Sequence, residues 1–166
     1  RKAIDLEYQI RTIINVQERN GFTLDVQKAT CLQAKLSDKS SIIEEKLQDI
    51  YLPITQERVS DKTGKRLKDK IIVFNPSSRQ QIAARLMQQG WQPDKFTPTG
   101  HPIVDEGTLK NVDIPEAKMI AEYLLLNKRT AQIKSWLELL EEDGKVHGKV
   151  LTLKAISGRM AHFGPN

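Results

Sequence analysis

Two long stretches of this sequence repeat apolar residues at alternating spacings of three and four, and a chain carrying two such stripes must bury both. In residues 25–50 the stripe is Ala29, Leu32, Leu36, Ile43, Leu47 and Ile50. In residues 116–142 it is Met119, Tyr123, Leu126, Thr130, Ile133, Leu137 and Leu140. Residues at that spacing fall on one side of an α-helix, and each predicted helix would be ~37 Å long at ~1.5 Å per residue. Packed antiparallel, the two would make a projecting arm with an ordinary ridges-into-grooves seam. Periodicity shows that each helix has a partner without showing which, so a plain helical bundle satisfies it as well.

The remaining elements are shorter. A first helix is predicted over residues 4–19, with Leu6, Ile10, Ile13 and Gln17 on one face and Asn20-Gly21 as its left-handed stop. Asp25 is placed to cap the second helix, and Cys31 within it is expected to be a small buried or half-buried residue. Residues 71–74 open a compact middle segment. There Ser78-Arg79-Gln80-Gln81 reads as a capping box, with Ser78 as N-cap and Gln81 reaching back, before a short helix through Ile82 and Leu86 that stops at Gly90. Trp91, Pro93, Pro98, Gly100 and Pro102 punctuate a loop, and Asp105-Glu106 begins another helical turn that ends near Leu109. Residues 145–154 alternate well enough to read as extended chain, with Ser157-Gly158-Arg159 at or after its end. The fold class is therefore mainly α with a small β portion, α+β.

At 166 residues the chain is long enough to bury a core without disulfides or metal. Its single cysteine offers no disulfide framework or zinc spacing, which fits a reducing, intracellular setting. No apolar run approaches the ~20 residues of a membrane span, and the start lacks the apolar core of a signal peptide. Arg1 in place of Met, and an end at Pro165-Asn166, are what an excerpt of a longer protein would show. The 26 Lys and Arg against 21 Asp and Glu give +5, favouring an anionic partner. Residues 51–72 hold six of the basic residues against Glu57, Asp61 and Asp69, around a turn-rich centre between two possible short strands. Aromatics are few, so base stacking along a single strand is not the expected mode.

No catalytic constellation is legible. A two-metal site needs carboxylates converging on ions ~4 Å apart, whereas Glu141-Glu142-Asp143 are consecutive at a helix end and read as a solvated turn. His101, His147 and His162 share no ligand spacing, and no nucleophile signature occurs, so no metal or catalytic residue is assigned.

Four segments read together change the weight of these features. They are Gln17-Glu18-Arg19-Asn20-Gly21-Phe22, Phe74-Asn75-Pro76-Ser77-Ser78-Arg79, Glu142-Asp143-Gly144-Lys145-Val146-His147-Gly148, and the ending Ser157-Gly158-Arg159 to Pro165-Asn166. In this order the chain resembles the family A, DNA polymerase I-like DNA polymerases, most closely the replicative polymerases of short-tailed bacteriophages. The order Thr99-Gly100-His101-Pro102 to Asp105-Glu106 also resembles theirs. Ser157 stands where the family usually has threonine and keeps the hydroxyl.

The resemblance implies a long antiparallel helical hairpin, the polymerase thumb, followed by the first short strands of the palm. Residues 1–25 would lead into the thumb. Residues 26–142 would be its arm, with a basic tip at 51–72 and the middle segment at 73–115, and 143–166 would open the palm. It implies further that Arg159 and Asn166 sit at the minor groove near the primer terminus. Minor-groove acceptors occur at every base pair, so an arginine there can test pairing without preferring a sequence. Lys128, Arg129 and Lys134 on the last helix, Arg79 in the middle segment, and Lys62, Lys65, Arg66 and Lys68 at the tip become candidates for the DNA backbone, where they would position the duplex rather than read it.

The partners implied are a primer–template duplex, the remaining palm and fingers, and an exonuclease domain where one precedes, in the cytoplasm of an infected bacterial host. Mg²⁺ is expected for the parent polymerase and no cofactor for this stretch, because the family's metal-binding aspartates come after Pro165-Asn166. Some phage polymerases carry a large thumb insertion at 51–72 that recruits a host processivity protein. The connection here lacks the length and apolar face for that, so no thioredoxin-type partner is expected. The other function that fits the residues is a non-enzymatic basic helical hairpin that binds a protein or structured RNA. A polymerase needs Arg159 on a fixed strand, whereas such a module leaves it in a frayed tail.

Overall fold

The structure, a computed structural model, describes residues 2–59 and 64–164. In chain order its elements are α1 (Lys2–Asn20), β1 (Phe22–Thr23), α2 (Val26–Ile50), β2 (Ile54–Val59), β3 (Arg66–Ile72), α3 (Arg79–Gln88), α4 (Glu106–Lys110), α5 (Pro115–Glu138), β4 (Lys145–Val146), β5 (Lys149–Leu151) and β6 (Ala161–Phe163). The strands form three antiparallel pairs, β1 with β4, β2 with β3 and β5 with β6. The chain is therefore α+β, mainly helical, as its pattern predicts. It divides into two compact units, Leu36–Lys128 and Arg1–Lys35 with Arg129–Asn166.

Within the first of these units, the end of α2 and the start of α5 run antiparallel. Leu47, Ala117, Ile120 and Ala121 share one core with Phe74, Ile82, Leu86 and Leu109. The α5 stripe is as expected, with Tyr123 and Leu126 buried. The α2 stripe holds in part: Leu47 is buried and Ala29, Leu36 and Ile43 are half-buried, but Leu32 and Ile50 are exposed, and Ser40 and Glu44 take positions beside Ile43 and Leu47. Polar residues hold seam positions because they are paired across it. Ser40 Oγ donates to Asn127 Oδ1 at 2.6 Å, and the Tyr123 hydroxyl donates to Glu44 Oε2 at 3.3 Å. A buried hydroxyl costs little once its hydrogen bond is made. Cys31 is exposed, not buried, because it lies off the seam.

Tyr51 closes α2 into this core. Its ring packs 4.5 Å from that of Phe74, its hydroxyl donates to Gln89 Oε1 at 2.9 Å, and burial pushes its pKa up to about 12. The Arg85 guanidinium stacks on the same ring while donating to the Leu52 carbonyl at 2.7 Å, so the base of the β2–β3 hairpin is clamped to α3.

Asn75-Pro76-Ser77-Ser78 forms a hydrogen-bonded turn. Pro76 is buried, Ser77 N–H donates to the Asn75 side chain at 2.8 Å, and Ser78 N–H to the Asn75 carbonyl at 2.9 Å. Ser78 caps α3 by accepting from Gln81 N–H, but Gln81 does not reach back to the cap residue. Its Oε1 accepts from Asn75 N–H at 2.8 Å, because the turn has already satisfied Ser78. Asp105 caps α4.

In the second unit α1 ends where Gly21 turns left-handed, at φ 57°. The face that α1 buries is displaced from the expected one. Leu6 and Ile13 are exposed, whereas Ile14 is buried, and Ile10 and Glu18 are half-buried beside it. Residues 139–146 fold back rather than extending α5, with Glu141 N–H donating to the Lys145 carbonyl at 2.9 Å.

The expected single strand over 145–154 is two strands with different partners, and His147 marks the break. His147 Nδ1 lies 2.8 Å from the Glu18 carbonyl and Nε2 lies 3.1 Å from Asp143 Oδ2. Both partners only accept, so the doubly protonated ring alone satisfies them together. Donation to the Glu18 carbonyl, and then the Asp143 carboxylate, hold the imidazole above its ordinary range. Burial pushes Asp143 up, but the hydrogen bonds from His147 and Lys145 outweigh it and hold that carboxyl below its ordinary range.

A base with a raised folded-state pKa stabilises fully below its unfolded value, about 6.5, and loses that contribution as pH rises through the folded value. Asp143 acts oppositely, its contribution fading as pH falls through its own lowered value. The urea midpoint of the unaltered chain should therefore exceed that of His147→Gln most at about pH 5–6, above the carboxylate range and below the histidine one. The gap should narrow toward about pH 9, where the ring is neutral. A gap that stays constant from acid to alkali would show that the neutral ring holds the contact equally well.

Candidate nucleic-acid interface

The Ser157-Gly158-Arg159 element lies in the connection between β5 and β6, two residues before β6 begins. Gly158 takes φ 72°, its N–H donates to the Ala155 carbonyl at 2.9 Å, and nothing lies within 4 Å of the position a Cβ would occupy. Glycine is required there by the turn, and its open side leaves backbone free to meet a ligand. Arg159 is exposed.

What fixes this hairpin is a side-chain pair on α1. Arg11 and Glu18, two helical turns apart, bond to each other at 3.1 Å. Glu18 Oε1 accepts from Val150 N–H at 2.7 Å, and Arg11 Nη1 donates to the Val150 carbonyl at 3.0 Å. Together they give the free edge of β5 the donor and acceptor that a neighbouring strand would supply. On its other edge β5 pairs with β6 through Lys149↔Phe163, Val150↔His162 and Leu151↔Ala161. Arg159 is thus held between paired strands, not on a strand itself and not in a frayed tail. Sequence reasoning missed Arg11 and Glu18. Their spacing of seven, which repeats a helix face, was the available signal.

The other candidates are dispersed over exposed surface. Lys128, Arg129 and Lys134 on α5 are exposed, and Lys134 lies 3.7 Å from Glu138. Arg79 is exposed at the first position of α3. Asp105 lies close enough to feel Arg79, although its carboxyl is held low chiefly by the Thr108 N–H that it accepts. At the tip, Lys65 and Lys68 are exposed, whereas Arg66 bonds Glu57 at 3.2 Å and Asp69 at 3.4 Å. Lys62 and Asn166 lie outside the described residues. Among the described residues no three His, Cys, Asp or Glu side chains come together to hold a metal ion. Nor is any described helix long and apolar enough to cross a membrane.

No family model matches the chain. It is 30% identical over 225 residues to a DNA-directed DNA polymerase of Escherichia phage T7, a match covering 99% of this chain and 32% of the phage protein. A DNA-directed DNA polymerase of Enterobacteria phage T3 is 31% identical over the same length, with the same coverage. The fold matches that of the POL domain of Pol1 from M. smegmatis, solved in complex with DNA primer-template and dNTP, at a TM-score of 0.76 and 19% identity, covering 96% of this chain and 26% of that one. In sequence, therefore, the chain is similar to phage DNA-directed DNA polymerases and in fold to a polymerase domain, and it spans about a third (32%) of the length of the phage relatives it matches.

Proposed function

We propose that this chain is the duplex-gripping thumb and palm entry of a DNA-directed DNA polymerase, which carries out template-dependent nucleotidyl transfer during replication in a bacterial host. The observation that carries this is the alignment of 99% of the chain with phage DNA-directed DNA polymerases. In this reading residues 26–142 form the thumb, with its tip at 51–72, and residues 143–166 enter the palm. Lys128, Arg129, Lys134 and Arg79 meet the phosphate backbone, and Arg159, with Asn166, meets the minor groove beside the primer end. The catalytic carboxylates and the Mg²⁺ they hold belong to the rest of the polymerase, and no step is assigned to a metal here. No thioredoxin-type partner is required, because the tip is a short charged hairpin.

The anchoring of Arg159 through Glu18 and Arg11 favours this function over a free-standing hairpin module, which gains nothing from a fixed arginine. The 166-residue chain alone should bind a primer–template duplex with an affinity that falls steeply with salt, since phosphate contacts release counterions. With Mg²⁺ present it should incorporate no nucleotide, while the polymerase that contains it should extend the primer. Primer extension by the chain alone would overturn the assignment, and so would a failure of the longer polymerase to extend.

A further inference from the structure

The basic excess of the β2–β3 hairpin is countable from the sequence, but its arrangement over the two faces is set by the register. That register is Ile54↔Ile72, Thr55↔Ile71 and Gln56↔Lys70, then, after an irregularity, Arg58↔Leu67 and Val59↔Arg66. Between Gln56 and Arg58 stands only Glu57, whereas between Lys70 and Leu67 stand both Asp69 and Lys68. This is a β-bulge, with two residues opposite one.

Directly opposed residues share a face, and successive residues along a strand alternate. One face therefore carries Gln56, Arg58 and Lys70 together with the apolar Ile54, Ile72 and Leu67, with no carboxylate among the described residues. The other carries Glu57 and Arg66, Lys68 lies there as the neighbour of Leu67, and the ion pairs of Arg66 with Glu57 and Asp69 put Asp69 there too, so Arg66 and Lys68, DNA-backbone candidates by charge, stand beside two carboxylates. Without the extra residue, Arg66 would project from the opposite face, away from Glu57.

We infer that the Gln56, Arg58 and Lys70 face of this hairpin is the one that meets the phosphate backbone of duplex DNA, and that the Arg66 face turns away. This rests on the chain being a duplex-gripping thumb. Charge complementarity selects the face. Arg58 and Lys70 are both exposed and make no ion pair among the described residues, so the face presents two uncompensated cations beside an amide donor. On the opposite face Arg66 already shares its guanidinium between two carboxylates, and Asp69 keeps Oδ1 buried without a hydrogen-bond partner. Bringing polyanion to that side would set phosphate against Glu57 and Asp69. Arg58 and Lys70 are diagonal neighbours across the ribbon, ~7–8 Å apart at the backbone, and their long side chains can take separate phosphates of one strand. The clamp of Arg85 on Leu52 and Tyr51 fixes the base from which the face is presented.

The test compares two double variants that remove equal charge, R58Q/K70Q and R66Q/K68Q, with unaltered chain. Binding of a fluorescent primer–template duplex is followed by anisotropy across a salt series, and circular dichroism confirms the fold. R58Q/K70Q should make the slope of log affinity against log salt shallower by ~1.8, at about 0.9 per phosphate contact, and R66Q/K68Q should leave it unchanged. Equal changes in both, or a change in R66Q/K68Q alone, would overturn the assignment of the face while leaving the thumb function standing. Unmoved slopes in both, with salt-dependent binding still present in the unaltered chain, would take the hairpin off the DNA altogether. Absence of salt-dependent binding by the unaltered chain would remove the thumb function itself.

Discussion

Replacing Gly21 by alanine should destabilise the chain by about 2–5 kcal/mol, combining the ~1–2 kcal/mol of a left-handed residue that is not glycine with the ~1–3 kcal/mol of overpacking. Gly21 sits at φ 57°, and a Cβ there would fall 2.8 Å from His147 Cε1, 2.9 Å from Nδ1 and 3.0 Å from the Val146 carbonyl oxygen. None of these neighbours is free to yield. The imidazole is held between Glu18 and Asp143, and Val146 is fully buried and paired with Phe22 across β1 and β4. Gly144 supplies the control. It has φ 74° but nothing within 4 Å of its Cβ position, so Gly144→Ala should show the conformational cost alone. Urea unfolding of both variants separates the terms. If Gly21→Ala costs no more than Gly144→Ala, the close approach of His147 does not constrain α1, and the clasp of His147 between Glu18 and Asp143 is loose.

That clasp also shows where the sequence was legible and where it was not. Helices α2, α3 and α4, the start of α5, the caps at Asp25, Ser78 and Asp105, and the stop at Gly21 follow from local rules that need no partner, and they stand as read, whereas α5 ends at Glu138, short of the expected 142. The buried face of α1 was displaced because an apolar stripe cannot include Glu18, whose value lies in Val150 N–H, a backbone group 132 residues away. Ser40 and Glu44 were left off the α2 seam for the same reason. Each is acceptable inside only because Asn127 or Tyr123 meets it, and hydropathy cannot see a bond across a seam. The alternation over 145–154 was real, yet it could not reveal that His147 ends one strand by turning back to Glu18. At the tip, composition gave the excess of basic residues. Their division between faces needed the bulge, and a shift of one residue moves a side chain to the opposite side. Among the described residues Arg66, a tip candidate by composition, is the cation there with two carboxylate partners, whereas Arg58 and Lys70 make no ion pair.

Arg159→Ala, made in the polymerase that contains this chain, should lower primer extension roughly tenfold to a hundredfold, the equivalent of losing one charge-assisted hydrogen bond of ~1.5–3 kcal/mol in the transition state. Arg159 is exposed, so truncation should leave the fold and its unfolding midpoint unchanged. Lysine should rescue only in part, because a single ammonium cannot offer the planar fork that a guanidinium presents to paired acceptors. Glu18→Gln tests whether the anchor matters apart from the contact. A neutral amide still accepts from Val150 N–H but loses its ion pair with Arg11, so the β5–β6 hairpin should be held less firmly and extension should fall less than for Arg159→Ala. The two variants should also differ in kind. If Arg159 meets the duplex as proposed, its loss should depend little on temperature, whereas a loosened anchor should show a defect that grows on warming, as β5 is released. Extension unchanged by Arg159→Ala would remove this arginine from the primer terminus. A defect in Arg159→Ala matched in full by Glu18→Gln would mean that the hairpin's placement, and not the guanidinium, is what the polymerase uses.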